Sequence, residues 1–225
     1  MQSYSMNVVE VATATRARLA DLPPPEAPVF PFPWDGLEKF AANQPGGQLP
    51  VVGYGSLLNK ASAARTLNES AQRTPCIAYG CRRVFNYRMP VEVLKRFGVT
   101  QISRSIAALN ALATYDLTDL INGILFGVAQ AEIAAFRLRE FGYDLKPVYC
   151  LPWKDPKDSP FLTAYILCAP DIASKPEYQV TDGTLLPQPG YAKLCEEGAS
   201  EVSKEFLDLF LATTYLADKI TLWKP

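Results

Sequence analysis

Short apolar runs recur along the chain from Leu49 onward, and they predict a β-rich core. Each run has the length of a strand and is rich in β-branched or aromatic residues. The runs cover residues 49–54, 76–88, 104–115, 122–129, 143–150 and 161–168. The few helical stretches between them follow no regular alternation with the strands. This pattern favours an α+β fold: a small mixed β-barrel, closed or half-closed, with flanking helices.

Three later stretches have the apolar spacing or the end signals of helices. The first is expected over residues 130–142, and the second begins near Pro189 and ends at Gly198. The third, over residues 200–217, carries an apolar stripe at helical spacing, which should cover the strand core. The stripe consists of Val202, Phe206, Leu209, Phe210 and Thr213.

The first part of the chain differs from the rest in its high proline content. Residues 22–34 hold six prolines, which exclude a regular helix or a central strand. Three aromatic residues of this stretch indicate that it packs on the body of the protein: Phe30, Phe32 and Trp34. We therefore divide the chain into an N-terminal extension, residues 1–48, and a domain, residues 49–225.

Two helices are expected within the extension. Residues 1–20 are compatible with a helix that precedes the proline-rich arm. A short helix over residues 36–44 should begin after Asp35, because an aspartate side chain can accept the first free backbone N–H groups. The glycine pair that starts at Gly46 should end this helix.

Composition and charge limit the kinds of molecule that this chain is expected to bind. Apolar residues make up 48% and charged residues 20% of the chain, as in ordinary globular proteins. The net charge is −1 and the basic residues are scattered, so nothing indicates nucleic-acid binding. No apolar run approaches the roughly 20 residues of a membrane-spanning helix, and the N-terminus has no secretory pattern. We therefore expect a cytoplasmic protein with neither nucleic acid nor membrane as a partner.

Two residue types restrict the chemistry. The five cysteines are widely spaced and form no C-x-x-C pair, which favours reduced, mostly buried thiols over a disulfide framework. The chain has no histidine, which excludes Ser-His-Asp and Cys-His catalysis and every metal site that contains histidine. Acid–base chemistry near neutral pH must then use a carboxylate, lysine, tyrosine or cysteine with a shifted pKa.

The loop V-V-G-Y-G-S-L-L, residues 51–58, is the first candidate for binding. Gly53 and Gly55 flank Tyr54, and glycine allows another group to approach the backbone closely. Consecutive backbone N–H groups in such a turn can bind an anion such as a carboxylate. The alternative is that this loop is an ordinary turn at the end of a strand. On the residues alone, this alternative is favoured. The loop lacks the Gly-Lys-Ser/Thr of a phosphate-binding loop and the pattern of a serine nucleophile.

The segment L-R-E-F-G-Y-D, residues 138–144, is the second candidate. Glu140 lies in the last turn of the expected helix, before Gly142. The negative end of the helix dipole and burial would both raise its pKa toward the range of a general base. Arg137 and Arg139 would lower the pKa if they pointed the same way. The alternative is a surface glutamate on a solvated helix face.

Three arginines form a weaker candidate: Arg82, Arg83 and Arg88, in the expected strand over residues 76–88. Their guanidinium groups can hold a carboxylate. Outward-facing charges on a strand are the alternative, and the sequence favours that alternative.

The two stronger candidates also occur in a characteristic order. The chain reads G-Y-G-S-L-L, then G-I-L-F-G-V-A, R-E-F-G-Y and K-P-V. This order resembles the gamma-glutamylcyclotransferase superfamily, which includes the ChaC-like and AIG2-like proteins. The resemblance spans roughly residues 50–148 and leaves out the extension. The loop reads Y-G-S-L, which is closer to ChaC-like proteins than to those with Y-G-S-N.

The resemblance implies an enzyme that releases 5-oxoproline from a γ-glutamyl compound. The α-amine of the substrate attacks its own γ-carbonyl, so neither a protein nucleophile nor a metal or cofactor is needed. By the same resemblance Glu140 is the catalytic acid and base. The residues expected to bind substrate are Tyr54, Gly55, Ser56 and Leu57 of the loop, and Tyr143.

The resemblance leaves the leaving group open between an amino acid, a cysteinylglycine and an amine. It is also compatible with a homodimer. Two other functions remain open on the same fold. One is a non-catalytic module that binds a small carboxylate or a partner, and the other is a related amide-cleaving or acyl-transfer enzyme.

Overall fold

A computed structural model gives the fold of most of the chain. It describes residues 15, 18–19, 22–67, 72–98, 106–114, 116, 118–154, 156–170 and 182–225. Most of the helix expected over residues 1–20 lies outside the described residues. Within the described part, no helix combines the length and the apolar character needed to cross a membrane.

Strands and helices alternate irregularly along the chain. The strands are β1 (Gln48–Gly53), β2 (Thr74–Tyr79), β3 (Cys81–Arg88), β4 (Ile106–Ala113), β5 (Leu120–Ala129), β6 (Asp144–Pro152), β7 (Leu162–Cys168), β8 (Leu186–Pro187) and β9 (Thr214–Tyr215). The α-helices are Leu37–Ala42, Lys60–Ala63, Val91–Arg96, Ile133–Arg139, Pro189–Ser200 and Lys204–Ala212. Two short 3₁₀ turns, Pro45–Gly47 and Gln130–Glu132, complete the described elements.

Five strands close into a barrel in the order β1-β5-β2-β6-β7. The barrel is mixed, because β1 pairs antiparallel with β5 and parallel with β7. The other four strands form a second sheet in the order β8-β4-β3-β9. The α+β fold, with a small mixed β-barrel and flanking helices, is thus confirmed. Closure of the barrel pairs both sides of each of its strands, which leaves no exposed sheet edge there.

The apolar run over residues 76–88 is two strands, and its prediction as one strand is wrong. The run breaks at Gly80, which has a φ of 78°. A left-handed φ costs glycine little, so the chain can turn sharply there. The N–H of Gly80 donates to the carbonyl of Asp119 (2.8 Å), and the N–H of Thr114 donates to the carbonyl of Gly80 (2.9 Å). The turn therefore carries β2 in the barrel into β3 of the second sheet.

The expected helix cap at Asp35 is wrong as well. The helix Leu37–Ala42 has Gly36 as its N-terminal cap residue, with a φ of 80° and no side-chain cap bond. The left-handed Gly36 separates Asp35 from the first helical turn, so its carboxylate does not cap the helix. The glycine pair does not end this helix either: the helix ends at Ala42 with Asn43 as its C-terminal cap residue, and both glycines lie in the separate 3₁₀ turn Pro45–Gly47.

The amphipathic stripe near the C-terminus lies on a shorter helix than the sequence predicts. The helix Lys204–Ala212 begins after Ser203, whose Oγ accepts the N–H of Phe206 (3.1 Å). It ends early because Thr214 and Tyr215 pair with β3 as strand β9. Its buried residues are Phe206, Leu209 and Phe210, as the stripe predicts.

The core includes part of the extension. Phe30 forms an antiparallel bridge with Leu145 of β6, and Trp34 and Leu37 are fully buried in the same cluster as the barrel residues. The expected packing of the proline-rich arm on the body is confirmed by these contacts. All five cysteines are free and buried, as predicted.

Candidate active site

A side chain would not fit where the chain turns after β1. Strand β1 ends at Gly53, and a Cβ atom there would lie 2.5 Å from the Cβ of Leu57. The N–H of Leu58 donates to the carbonyl of Gly55 (2.9 Å) and closes the turn. Leu57 is buried, so its side chain belongs to the core and only its backbone can serve a ligand.

The loop has three consecutive N–H groups outside the backbone hydrogen-bond network. Within the described part of the chain, no backbone carbonyl accepts the N–H groups of Gly55, Ser56 and Leu57. The carbonyl of Leu57, in contrast, accepts Nη2 of Arg73 (2.7 Å). Consecutive N–H groups without internal acceptors are the feature that makes a turn bind carboxylates or oxyanions.

Tyr54 holds the loop in place with its hydroxyl group. The hydroxyl donates to the carbonyl of Leu167 (2.6 Å) and accepts the N–H of Ala111 (2.9 Å). The side chain is only 4% exposed. The phenol thus joins the loop to β7 and β4, and both of its hydrogen bonds are made within the protein.

Tyr54→Phe is expected to lower the free energy of unfolding by about 1–2 kcal/mol, because the buried N–H of Ala111 loses its acceptor. Tyr149→Phe is the matched control, since the Tyr149 hydroxyl donates to the carbonyl of Pro23 at an exposed position (2.8 Å). The control should cost less than about 0.5 kcal/mol. Urea unfolding measures both values, and equal losses would show that the Tyr54 hydroxyl does not support the loop.

Glu140 lies directly after the helix Ile133–Arg139, as its C-terminal cap residue. Its N–H donates to the carbonyl of Phe136 (2.9 Å), and its side chain is 12% exposed. Burial raises the pKa of the Glu140 carboxyl above its ordinary value, while the charge of Arg139 and its hydrogen bond lower it in part. A carboxyl with a raised pKa is suited to accept and return protons near neutral pH. The alternative of a solvated surface glutamate is wrong.

Gly142 shapes the turn that follows Glu140. Its φ of 85° is the left-handed conformation expected after a helix end. A Cβ atom at this position would lie 2.7 Å from the hydroxyl oxygen of Tyr87. Glycine therefore allows the backbone to turn here and also leaves space for the Tyr87 hydroxyl group. This hydroxyl donates to the carbonyl of Phe141 (3.3 Å).

The charge of Glu140 acts on four phenols: Tyr54, Tyr87, Tyr143 and Tyr191. Burial raises the pKa of each phenol, and the nearby Glu140 charge raises each one further. The rings of Tyr87 and Tyr143 stack with their centroids 4.1 Å apart. The Tyr143 hydroxyl donates to the carbonyl of Leu109 (3.0 Å). The Glu140 carboxylate therefore interacts electrostatically with four phenols, two of which stack on each other.

Sequence reasoning missed two of these phenols. Tyr87 comes from β3 and Tyr191 from the helix Pro189–Ser200, and neither stands near Glu140 or the loop in the sequence. A Cβ atom at Gly55 would lie 2.6 Å from the Tyr191 hydroxyl oxygen. The glycine in the loop thus admits a group of the protein itself. Only the folded chain shows this contact, because no local pattern relates the two residues.

Arg139 joins Glu140 to the loop. Its Nε donates to Oε1 of Glu140 (2.8 Å) and its Nη2 to Oγ of Ser56 (3.2 Å). Nη1 donates to the carbonyl of Ser62 (2.6 Å), and Nη2 also donates to Oγ of the same residue (3.1 Å). The guanidinium therefore connects the two candidate segments. The sequence indicates its charge beside Glu140 but gives no sign of the bridge.

The three arginines of the expected strand over residues 76–88 have other partners. Arg82 pairs with Asp119 (2.7 Å) and Arg88 with Asp182 (3.2 Å). Arg83 is fully buried, with Nη2 donating to Oδ1 of Asn122 (3.0 Å), and the expectation that it points outward is wrong. Burial lowers the pKa of Arg83 to about 9.

Glu140 is also expected to make stability depend on pH. Its folded pKa is above the ordinary 4.5, so the folded form binds this proton more tightly than the unfolded chain does. The free energy of unfolding therefore falls as the pH rises from about 4.5 through the folded pKa. Glu140→Gln should remove this part of the slope. Urea unfolding of both proteins from about pH 4 to about pH 8 measures it; parallel curves would contradict the raised pKa.

The described residues contain no group of three or more His, Cys, Asp or Glu side chains that could hold a metal ion. A cavity of about 700 Å³ is lined by residues of the C-terminal part, among them Lys193, Glu196 and Trp223. Neither Glu140 nor the loop lines this cavity, so it is separate from the candidate site.

The fold is similar to those of several solved structures. A structure described as a gamma-glutamyl cyclotransferase matches with a TM-score of 0.53 and 13% identity, covering 74% of this chain and 88% of that one. An uncharacterized protein from Homo sapiens matches with a TM-score of 0.52 and 15% identity, with the same coverage, 74% and 88%. YkqA from Bacillus subtilis matches with a TM-score of 0.52 and 13% identity, covering 85% of this chain and 61% of that one.

These likenesses concern the fold. No family model matches the sequence, and none of the curated proteins does. The resemblance based on the ordered motifs is confirmed as a likeness of fold, because the structures with a similar barrel include a gamma-glutamyl cyclotransferase.

Proposed function

We propose that this chain, which has the gamma-glutamylcyclotransferase fold, releases 5-oxoproline from a γ-glutamyl compound with Glu140 as its acid and base. One arrangement carries the proposal. A buried carboxyl with a raised pKa is joined by one guanidinium to Ser56, in a loop with three consecutive N–H groups that no backbone carbonyl accepts. The substrate class comes from the family resemblance, and the geometry supplies the groups that this chemistry needs.

The reaction begins with a proton transfer to Glu140. The ionised carboxylate takes a proton from the α-ammonium group of the substrate, which makes the amine nucleophilic. The amine then attacks the γ-carbonyl carbon of the same glutamyl group and closes a five-membered ring. A new C–N bond forms, and the carbonyl oxygen becomes an oxyanion. Because the attack is intramolecular, most of the catalytic work is to hold the glutamyl chain in a folded conformation.

Collapse of the tetrahedral intermediate completes the cycle. The protonated Glu140 gives its proton to the leaving nitrogen as the original C–N bond breaks. The Glu140 carboxylate then takes the second proton from the ring nitrogen and passes it to the released amine, so the products are 5-oxoproline and an ammonium ion, and Glu140 is again a carboxylate. One group thus performs all the proton transfers, which agrees with a chain that has no histidine.

The loop supplies the electrostatic part of the site. The N–H groups of Gly55, Ser56 and Leu57 point their partial positive charge at the α-carboxylate or at the developing oxyanion. Donors held in place by the fold need no reorganisation during the reaction, which is why such groups stabilise transition states strongly. Tyr143 lines the same site and its ring limits the space available to the glutamyl chain.

Arg139 balances the acidity of Glu140. Burial alone would favour the protonated form, which cannot act as the first base. The charge and hydrogen bond of Arg139 lower the pKa in part, so the carboxylate remains accessible. The same guanidinium fixes the distance between the carboxyl and the loop through Ser56.

Turnover of a substrate panel tests this function. The panel contains a γ-glutamyl amino acid, γ-glutamyl-cysteinylglycine and a γ-glutamyl amine, with 5-oxoproline and the released amine measured separately. Equal amounts of both products from at least one substrate are expected. Binding without turnover would favour a non-catalytic module, and free glutamate would mark an amide-cleaving enzyme. Either result contradicts the proposal.

A further inference from the structure

The proline-rich arm and the helix behind it contact the segment that carries Glu140. We define the arm as residues 22–48 and the Glu140 turn as residues 140–145. The indole N–H of Trp34 donates to the carbonyl of Tyr143 (2.8 Å). The N–H of Phe32 donates to Oδ1 of Asp144 (2.9 Å). The arm thus forms hydrogen bonds to consecutive residues of the turn.

Hydrogen bonds also join the arm to the start of strand β6. The N–H of Phe30 donates to the carbonyl of Leu145, and the N–H of Leu145 donates to the carbonyl of Phe30, both at 2.9 Å. The arm therefore extends antiparallel beside the end of the turn. These backbone bonds fix the register of the arm on the turn, because a shift by one residue would break both.

The arm also contacts the helix that precedes Glu140. The fully buried ring of Trp34 lies 5.5 Å from the ring of Phe136, and Glu38 pairs with Arg137 (2.6 Å). The ring of Phe32 packs on the ring of Phe141 inside the turn, 4.8 Å away. The arm thus contacts the chain before the Glu140 turn and along the turn itself.

The Glu140 turn needs contacts with other parts of the chain to keep its conformation. The helix before it, Ile133–Arg139, has seven residues, and a helix of this length is not stable without tertiary contacts. The bond across the turn, from the N–H of Tyr143 to the carbonyl of Glu140, is long at 3.3 Å. Small movements of this turn would displace the carboxyl of Glu140 and the ring of Tyr143 together.

We propose that the arm is a positioning element of the candidate site, with Trp34 as the positioning residue that fixes the Glu140 turn. This inference rests on the proposed role of Glu140. It assigns a purpose to the part of the chain that lies outside the motif resemblance. A purely structural arm would cover the barrel and stabilise it without affecting Glu140.

Trp34→Phe is the test variant, because phenylalanine retains a ring against Phe136 but has no donor for the Tyr143 carbonyl. Trp153→Phe is the matched control. Trp153 is also buried, and it packs on Phe206 (5.0 Å) away from the site. Both variants remove the same atoms, so a loss of stability alone should be similar in the two.

The steady-state constants give the first result. Trp34→Phe should lower kcat by about tenfold with a smaller change in KM, since misplacement of a catalytic group acts mainly on the chemical step. Trp153→Phe should leave kcat unchanged. Equal kcat values in wild type and Trp34→Phe, at temperatures where both are folded, would overturn the inference.

A carboxyl NMR titration of Glu140 gives a second result that does not need turnover. The signal is assigned with Glu140→Gln. Arg139 forms a hydrogen bond to this carboxyl, and the other titratable groups that interact with it electrostatically are Tyr54, Tyr87, Tyr143 and Tyr191. None of them is changed in Trp34→Phe, so a shift reports the position of the turn.

A looser turn admits water, and the pKa of Glu140 should then fall in Trp34→Phe and stay constant in Trp153→Phe. If wild type turns over none of the γ-glutamyl substrates, the proposed function fails, yet this titration still decides whether Trp34 positions Glu140. An unchanged pKa in Trp34→Phe would overturn the inference.

Discussion

Glu140→Gln is expected to lower kcat/KM for 5-oxoproline release by about a thousandfold. Glutamine has nearly the shape of glutamate, so the substrate can still bind to the loop. It cannot take the proton from the α-ammonium group or return one to the leaving nitrogen. KM should change little, because the lost group acts on the proton transfers. Release of 5-oxoproline, followed at several substrate concentrations, separates the two constants.

Glu132→Gln is the matched control for this variant. Glu132 lies just before the same helix, and its Oε2 accepts the N–H of Ala129 (2.9 Å), which a glutamine oxygen can also accept. The control should keep wild-type activity. Full activity of Glu140→Gln, with the fold intact by circular dichroism, would eliminate Glu140 as the acid and base.

Arg139→Met is expected to have the second-largest effect. The variant keeps an apolar stem but leaves Glu140 without its cation and Ser56 without its link to the turn. We expect kcat/KM near neutral pH to fall by about a hundredfold, because the carboxyl and the loop lose their fixed separation. Removing one partner of a largely buried ion pair should also lower the free energy of unfolding by about 3 kcal/mol.

The pH profile of Arg139→Met separates these effects. Arg139 lowers the pKa of Glu140, so its removal raises that pKa further above the ordinary value. The base form is then lost over a wider acidic range, and the acidic limb of kcat/KM moves to higher pH. Arg139→Lys should keep part of this charge effect but restore the link to Ser56 poorly, since lysine lacks the planar group.

Arg82→Met is the control for loss of an arginine ion pair. Arg82 pairs with Asp119 on a partly exposed part of β3, so its removal should cost at most about 1 kcal/mol and leave the pH profile unchanged. An acidic limb that stays in place in Arg139→Met would show that Arg139 does not set the pKa of Glu140.

The sequence predicts the elements of this fold better than their arrangement. Apolar runs of strand length locate most barrel strands, because burial inside a barrel requires such runs whatever the connections. The break at Gly80 escapes prediction, since an apolar run gives no sign that its two halves enter different sheets. The early end of the helix at Ala212 escapes it for a similar reason: pairing with β3 competes with the helix and wins.

The parts of the candidate site that can be predicted are those that a short stretch of sequence makes recognisable. Glu140 stands out because an acidic residue is unfavourable at a helix C-terminus, and the loop stands out by its glycines. Tyr191 has no such signal, and its contact with Gly55 exists only after the helix Pro189–Ser200 packs on the loop. Arg139 is visible as a charge, but its direction depends on Ser56 and Ser62, which are distant in sequence.

In the proposed mechanism the substrate's own amine, and not water, attacks the γ-carbonyl. Turnover in water labelled with oxygen-18, with mass analysis of the products, distinguishes the two nucleophiles. We expect 5-oxoproline without the label and no free glutamate, because no water enters the reaction. Free glutamate that carries the label in its γ-carboxyl group would contradict this mechanism and identify a hydrolase.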